Sequence, residues 1–230
     1  MLAAFRAMAK TRAAFDGTAN RAYLFRNPCS ARKRDQTIEE TAMALLPIIT
    51  LPDPRLRKVS EPVERIDAEI HRLLDDMLET MYAAPGIGLA AIQVAVAKRI
   101  VVVDIGKTED ERSPLFLINP EIIWASEELS SYQEGCLSVP DYFDDVKRPA
   151  MVKVRHLDRH GQTQEFDAVG LLATVVQHEL EHLEGGLFID NLSRLKRERV
   201  VKKFSKAARF DEIVAQRRAE AERQSEEAGA

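Results

Sequence analysis

Apolar positions along this chain fall into runs of two periods, and those runs predict its elements. After Ile66 the spacing is helical: Leu73, Leu74, Met77 and Met81 follow Ile70 by 3, 4, 7 and 11 residues. Asp67 caps the start of that helix and Ala84-Pro85-Gly86 breaks its end. β-rich runs come next, at Arg99–Ile105, at Leu115–Trp124 around Asn119-Pro120, and at Met151–Leu157. A turn at Asp158-Arg159-His160-Gly161 leads into Gln164–Val169, so the last two runs predict a hairpin. Gly170–Glu184 reads as a buried helix ended by Gly185-Gly186. Ser193 can cap a final helix running toward residue 220, whose tail RRAEAERQSEEAGA is charged and expected to fray. Helix, strands, helix, helix with no internal repeat predicts an α+β domain.

Composition narrows the setting. With 230 residues, 45% of them hydrophobic, the chain can bury a full core and suits one domain with appendages. A net charge of −4 carries no nucleic-acid footprint over the whole chain. Residues 1–35 differ: eight Lys/Arg stand against Asp16 and Asp35, a net of +6, which leaves the other 195 residues near −10. Residues 1–42 show no sustained hydrophobic period, and their Arg/Ala-rich composition fits a transit peptide, a mis-assigned start ahead of Met43, or a functional arm. The main domain is expected over 43–230, with a charged tail from about 215. No run approaches the roughly 18 apolar residues that span a bilayer, and no secretory signal is visible. Two cysteines, Cys29 and Cys136, make no disulfide framework, so a reducing compartment is expected: cytoplasmic, or organellar if residues 1–42 are a transit peptide.

The candidate chemistry begins in QHELEHLEGG, residues 177–186. His178-Glu179-Leu180-Glu181-His182 is an H-E-x-x-H, and on a helix residues four apart share a face, so both imidazoles can reach one metal ion. Leu171, Thr174 and Val175 lie on that same face, so the bland alternative is a pair of core histidines. A catalytic metal needs a third protein ligand and an open position. The elongated peptidase motif requires histidine at 188, which here is Phe188. Glu198 on the last helix is a possible third ligand without distinctive surroundings, and Cys29 a possible fourth. Cys136 in Glu134-Gly135-Cys136-Leu137-Ser138 is a better third ligand, giving a Cys/His/His set suited to Zn²⁺ or Fe²⁺. GIGLAAIQ, residues 86–93, lacks the βαβ context of a phosphate loop. It reads either as a tight turn or as a place where glycines admit a substrate backbone beside the Gln93 amide.

Taken in order, GIGLAAIQ (86–93), EGCLS (134–138) and QHELEHLEG (177–185) closely resemble the peptide deformylases, from about Met43 to the final helix. The resemblance implies β-sheets packed around a central helix carrying H-E-x-x-H, with a C-terminal helix. It implies a hydrolase that removes the formyl group from N-formylmethionine of newly made polypeptides. Cys136, His178 and His182 match the metal ligands, holding one divalent ion: Fe²⁺ in the cell, with Zn²⁺ or Ni²⁺ possible. Glu179 matches the general acid/base, and Gln93 with the Leu137 N–H match the oxyanion donors. An extended peptide is expected along Ile87-Gly88 and Gly135, with Val175, Ile87 and Leu137 around its methionine. Two positions depart from the family pattern. Glu181 stands where aspartate is usual and is expected to pair with Arg148, and Phe143, in the expected loop VPDYFDDVKR, stands where arginine is frequent.

Two other readings stay open at this stage: a zinc peptidase using Glu198 or Cys136, and a catalytically silent metal-containing binding module. The expected partners are N-formylmethionyl nascent peptides. The charged last helix leaves ribosome contact open, and neither nucleic acid nor membrane is expected.

Overall fold

The structure is a computed structural model and describes residues 44–228; the expectations for residues 1–42 fall outside the described residues. Helix α1 spans Ala68–Ala83. Asp67 caps it, its carboxylate accepting from the N–H groups of Glu69 and Ile70 at 3.1 and 3.3 Å. The stripe read from the sequence is its inward face: Leu74, Met77 and Met81 are fully buried.

Seven strands follow, with β1 at Gly88–Ala90, β2 at Ile100–Val103 and β3 at Leu115–Ala125. Next come β4 at Leu129–Cys136, β5 at Val139–Pro149, β6 at Met151–Leu157 and β7 at Thr163–Val169. Five make one antiparallel sheet in the order β1-β2-β3-β6-β7, while β4 and β5 pair as a separate two-stranded sheet. Helix α2 spans Leu171–Leu183 and packs on β1, β2 and β7.

The large sheet is covered on both sides, and the IVVV of β2 shows how. Ile100 and Val102 join the core with α1, whereas Val101 and Val103 join the core with Val175, Val176, Leu180 and Leu183 of α2. A strand buried on both faces is apolar at every position, as this one is. β3 bends at Asn119, whose φ is 51°, and its amide clasps Val63 through two 2.8 Å hydrogen bonds. The β3–β6 register shifts just beyond it, the mark of a bulge.

Gly185 ends α2 with φ 76°, and a side chain there would meet the Arg57 carbonyl carbon at 3.0 Å. A third core then joins Leu187, Phe188 and Ile189 to Val139 and Val146 of β5 and to Val200. Val200 belongs to α3, Arg194–Ala228, which continues past the expected end near residue 220. Among the described residues no helix is long and apolar enough to cross a membrane.

The architecture is α+β, with the H-E-x-x-H helix against the sheet. One local expectation is corrected. The segment after Cys136 is strand β5 rather than a loop. In that small sheet only Val139, Val146 and Arg148 of β5 are buried, so Asp, Lys and Pro fill the wet positions and hide the strand pattern. Of the two readings left open for Gly86–Gln93, the tight turn does not describe the stretch, which is β1 followed by a 3₁₀ turn at Ala91–Val94.

Candidate active site

The four-residue spacing on α2 sets His178 and His182 side by side, ring centroids 5.1 Å apart at 73°. Cys136 closes the set from the end of β4, its Sγ 3.2 Å from His182 Nε2. One donor atom from each of the three residues lies within 4.8 Å of the others. Both histidines are buried, and His178 Nδ1 is engaged by Glu134 Oε2 at 2.8 Å, which leaves Nε2 for the shared centre. One thiol and two imidazoles converging with no carboxylate among them suit a transition-metal ion that keeps a position open, so the residues fit such an ion.

The electrostatics agree with a cation-accepting centre. Burial lowers the His182 pKa well below the ordinary value, keeping the ring neutral and its nitrogen lone pair available. Burial also acts to lower that of His178, but hydrogen bonds with Cys136 and Glu134 outweigh it and raise the value.

Glu179 follows His178 on α2 and is buried, its Oε2 without a hydrogen-bond partner. Burial pushes its pKa up to about 7. It has room because residue 88 is glycine: a Cβ there would come within 2.9 Å of Glu179 Cδ and Cγ. Gln93 approaches from the 3₁₀ turn after β1. Its Oε1 accepts the Ala90 N–H at 2.8 Å, which turns Nε2 toward Ser138 Oγ at 3.3 Å and Cys136 Sγ at 3.5 Å.

Behind the histidines, Arg148 of β5 grips Glu134 with Nε to Oε1 at 2.7 Å and Nη2 to Oε2 at 2.9 Å. The same Nη2 reaches Glu181 Oε2 at 2.8 Å. Asn191 Nδ2 also donates to Glu181, at 2.9 and 3.1 Å.

A cavity of about 490 Å³ opens over this centre. Ile87, Gly88, Gln93, Gly135, Cys136, Leu137, Val175, His178 and Glu179 all line it, so these residues, separate in sequence, share one space. His182 is fully buried and joins Cys136 and His178 in the cluster without lining the cavity, while Glu181 and Arg148 line a different cleft behind α2. Glu198 stands apart on α3, paired with Arg194 and more than half exposed, which removes it as a metal ligand. Cys29 falls outside the described residues.

Sequence reasoning left three contributors without a role: Glu134, Ser138 and Asn191. Glu134 had a usable signal, since it precedes Cys136 by two and side chains two apart share a face of a strand. Asn191 had none, because its partner comes from another segment.

Comparison with known proteins agrees with this geometry. The family model for polypeptide deformylase matches residues 45–198. A peptide deformylase of Methylocella silvestris is 59% identical over 172 residues, 74% of this chain and 88% of that protein. Another, from Phenylobacterium zucineum, is 56% identical over 167 residues, 73% of this chain and 99% of that protein. The crystal structure of peptide deformylase from Ehrlichia chaffeensis superposes with a TM-score of 0.68 at 44% identity, covering 73% of this chain and 99% of that one. With three motifs, one converging site and these matches in agreement, this chain belongs to the polypeptide deformylase family.

Proposed function

We propose that this chain hydrolyses the terminal formamide of N-formylmethionyl peptides, releasing formate and a free amino terminus. The observation that carries the reading is the buried carboxylate of Glu179, whose Oε2 has no hydrogen-bond partner, beside the Cys136/His178/His182 cluster. A binding module needs no such group, whereas an amidase needs one that can take up a proton and give it back near neutral pH.

Cys136, His178 and His182 would hold the ion, with Fe²⁺ proposed in the cell and Zn²⁺ or Ni²⁺ also suited to the donors. Such an ion, when bound, supplies a Lewis acid that brings the pKa of a water toward about 7. Glu179 takes the proton of the attacking water as its oxygen adds to the formyl carbon. Gln93 Nε2 and the Leu137 N–H then donate to the oxyanion, one such donor being worth roughly 3 kcal/mol. Glu179 passes the proton to the departing amine, and the C–N bond breaks.

The peptide enters between two strands that each have a partner on one side only. β1 is the last strand of its sheet and β4 pairs with β5 alone, and both border the cavity through Gly88 and Gly135. An extended peptide added there gains backbone hydrogen bonds without sequence preference, as a processor of many amino termini requires. Val175 and Leu137 offer an apolar wall to the methionine, while Phe143 and Leu171 flank the outer part.

Mass analysis after anaerobic incubation of Fe²⁺-loaded protein with formyl-Met-Ala-Ser and with longer unformylated peptides tests the reading. Formate with Met-Ala-Ser as the sole products is expected. Cleavage inside the unformylated peptides would establish a peptidase instead.

A further inference from the structure

We propose that Asn191, Glu181 and Gly186 form one positioning unit, which aims His178 through Arg148 and Glu134 and requires glutamate, not the shorter aspartate, at position 181. The proposal rests on the functional reading of the same site.

Glu181 lies on α2 beside His182 but turns away from the cavity. Its Oε2 accepts Arg148 Nη2 at 2.8 Å, and both oxygens accept Asn191 Nδ2, at 2.9 and 3.1 Å. Oε1 has Asn191 as its only partner among the described hydrogen bonds. The length of the side chain matters because Arg148 comes from β5 and Asn191 from the 3₁₀ turn Phe188–Asn191, so the carboxylate must reach a point between two other segments. Residue 186 makes that reach possible. A Cβ on Gly186 would lie 2.5 Å from Glu181 Cγ and 3.1 Å from the Glu181 carbonyl oxygen. Here a glycine is needed for space, since any side chain would drive Glu181 off its path.

From Glu181 the contacts lead inward. Arg148 spans Glu181 and Glu134, and Glu134 Oε2 meets His178 Nδ1 at 2.8 Å. Holding Arg148 from outside fixes the Glu134 carboxylate, and the carboxylate fixes the rotation of the His178 ring and the aim of Nε2. Asn191 touches no reacting atom and is a positioning residue. Because Arg148 keeps its two bonds to Glu134 when Glu181 is withdrawn, loss of the outer contacts is expected to misalign the site without unfolding it.

The test uses the full chain as wild type, Asn191→Ala, Glu181→Asp, Gly186→Ala and the double variant Glu181→Asp/Asn191→Gln, in which a longer amide meets a shorter carboxylate. Four quantities are compared: the visible absorption of the Co²⁺ form, the rate of Co²⁺ loss to a chelator, kcat and KM for a formylated peptide, and Tm. Each single variant is expected to lose Co²⁺ roughly 10- to 100-fold faster, with altered absorption bands, lower kcat, little change in KM and a Tm near wild type. The double variant is expected to recover most of the absorption and retention lost by Glu181→Asp. Wild-type spectra and retention in Glu181→Asp and Asn191→Ala, or a double variant no better than Glu181→Asp, would overturn the proposal. Failure of the functional reading is separate, appearing as a wild type that binds Co²⁺ and releases no formate.

Discussion

Glu134 and His178 meet at 2.8 Å between Oε2 and Nδ1, with both side chains buried. Burial acts to raise the Glu134 pKa, but hydrogen bonds from His178 and Arg148 outweigh it and hold the group ionised. An ionised Glu134 keeps the His178 proton on Nδ1, which directs the Nε2 lone pair to the cluster. Glu134→Gln keeps the volume and removes the charge. Metal retention against a chelator is expected to fall roughly 10- to 100-fold, and retention equal to wild type would show that the pair does not orient the ligand.

Gly88 and Glu179 are packed so closely that a methyl group cannot enter between them. Gly88→Ala puts a Cβ within 2.9 Å of Glu179 Cδ, and the carboxylate is the movable partner. A displacement near 1 Å in a catalytic group costs about a hundredfold in rate. Steady-state kinetics are therefore expected to show a loss of that order in kcat with metal content unchanged.

Much of this site is legible in the sequence, and the illegible part has a physical reason. His178 and His182 declare themselves because helical periodicity fixes their relative position within one element. Cys136 and Gln93 come from other elements, so spacing alone leaves Cys136 as one option among several, and resemblance to a family selects it. α1 is visible because its buried stripe imposes a helical period, and β2 because burial on both faces makes it a continuous apolar run. β5 is not, because its two-stranded sheet keeps most of its side chains wet and carries Asp141, Asp144, Asp145 and Lys147 along a strand. Asn191 meets Glu181 side chain to side chain and Gly186 meets it with its backbone, and no periodicity encodes either approach.

Tyr82 and Asp104 give the fold a pH signature away from the site. Tyr82 Oη donates to Asp104 Oδ2 at 2.5 Å, and Asp104 also accepts the N–H groups of Gly106 and Ser113. Burial and the Asp104 bond push the Tyr82 pKa up to about 12 from an unfolded value of 10.0. The unfolded chain thus gives up this proton first, and stability is lost as pH rises from 10 toward 12. Burial acts to raise the Asp104 pKa, but its hydrogen bonds prevail and lower it, so its contribution is present above 3.8 and lost as pH falls below that value. Tyr82→Phe is expected to cost about 1 kcal/mol at neutral pH and to flatten the alkaline limb of the stability curve relative to wild type. Parallel alkaline limbs in denaturant titrations would contradict the assignment.

Gln93 has its amide fixed by Ala90, so its NH₂ group is aimed before substrate arrives. Donors fixed in this way act mainly in the transition state. Gln93→Ala is expected to lower kcat by roughly 10²- to 10³-fold with metal content unchanged, as single-turnover formate release would show. A change confined to KM would place Gln93 in ground-state binding instead.

The most direct measurement is the rate of formate release from formyl-Met-Ala-Ser by Fe²⁺-loaded wild type and Glu179→Gln, prepared anaerobically and matched for metal content. Wild type is expected to release formate, and Glu179→Gln to do so roughly 10²- to 10⁴-fold more slowly while still holding its metal. Rates within a few-fold of each other at equal metal content would contradict the assignment of Glu179 as the proton carrier.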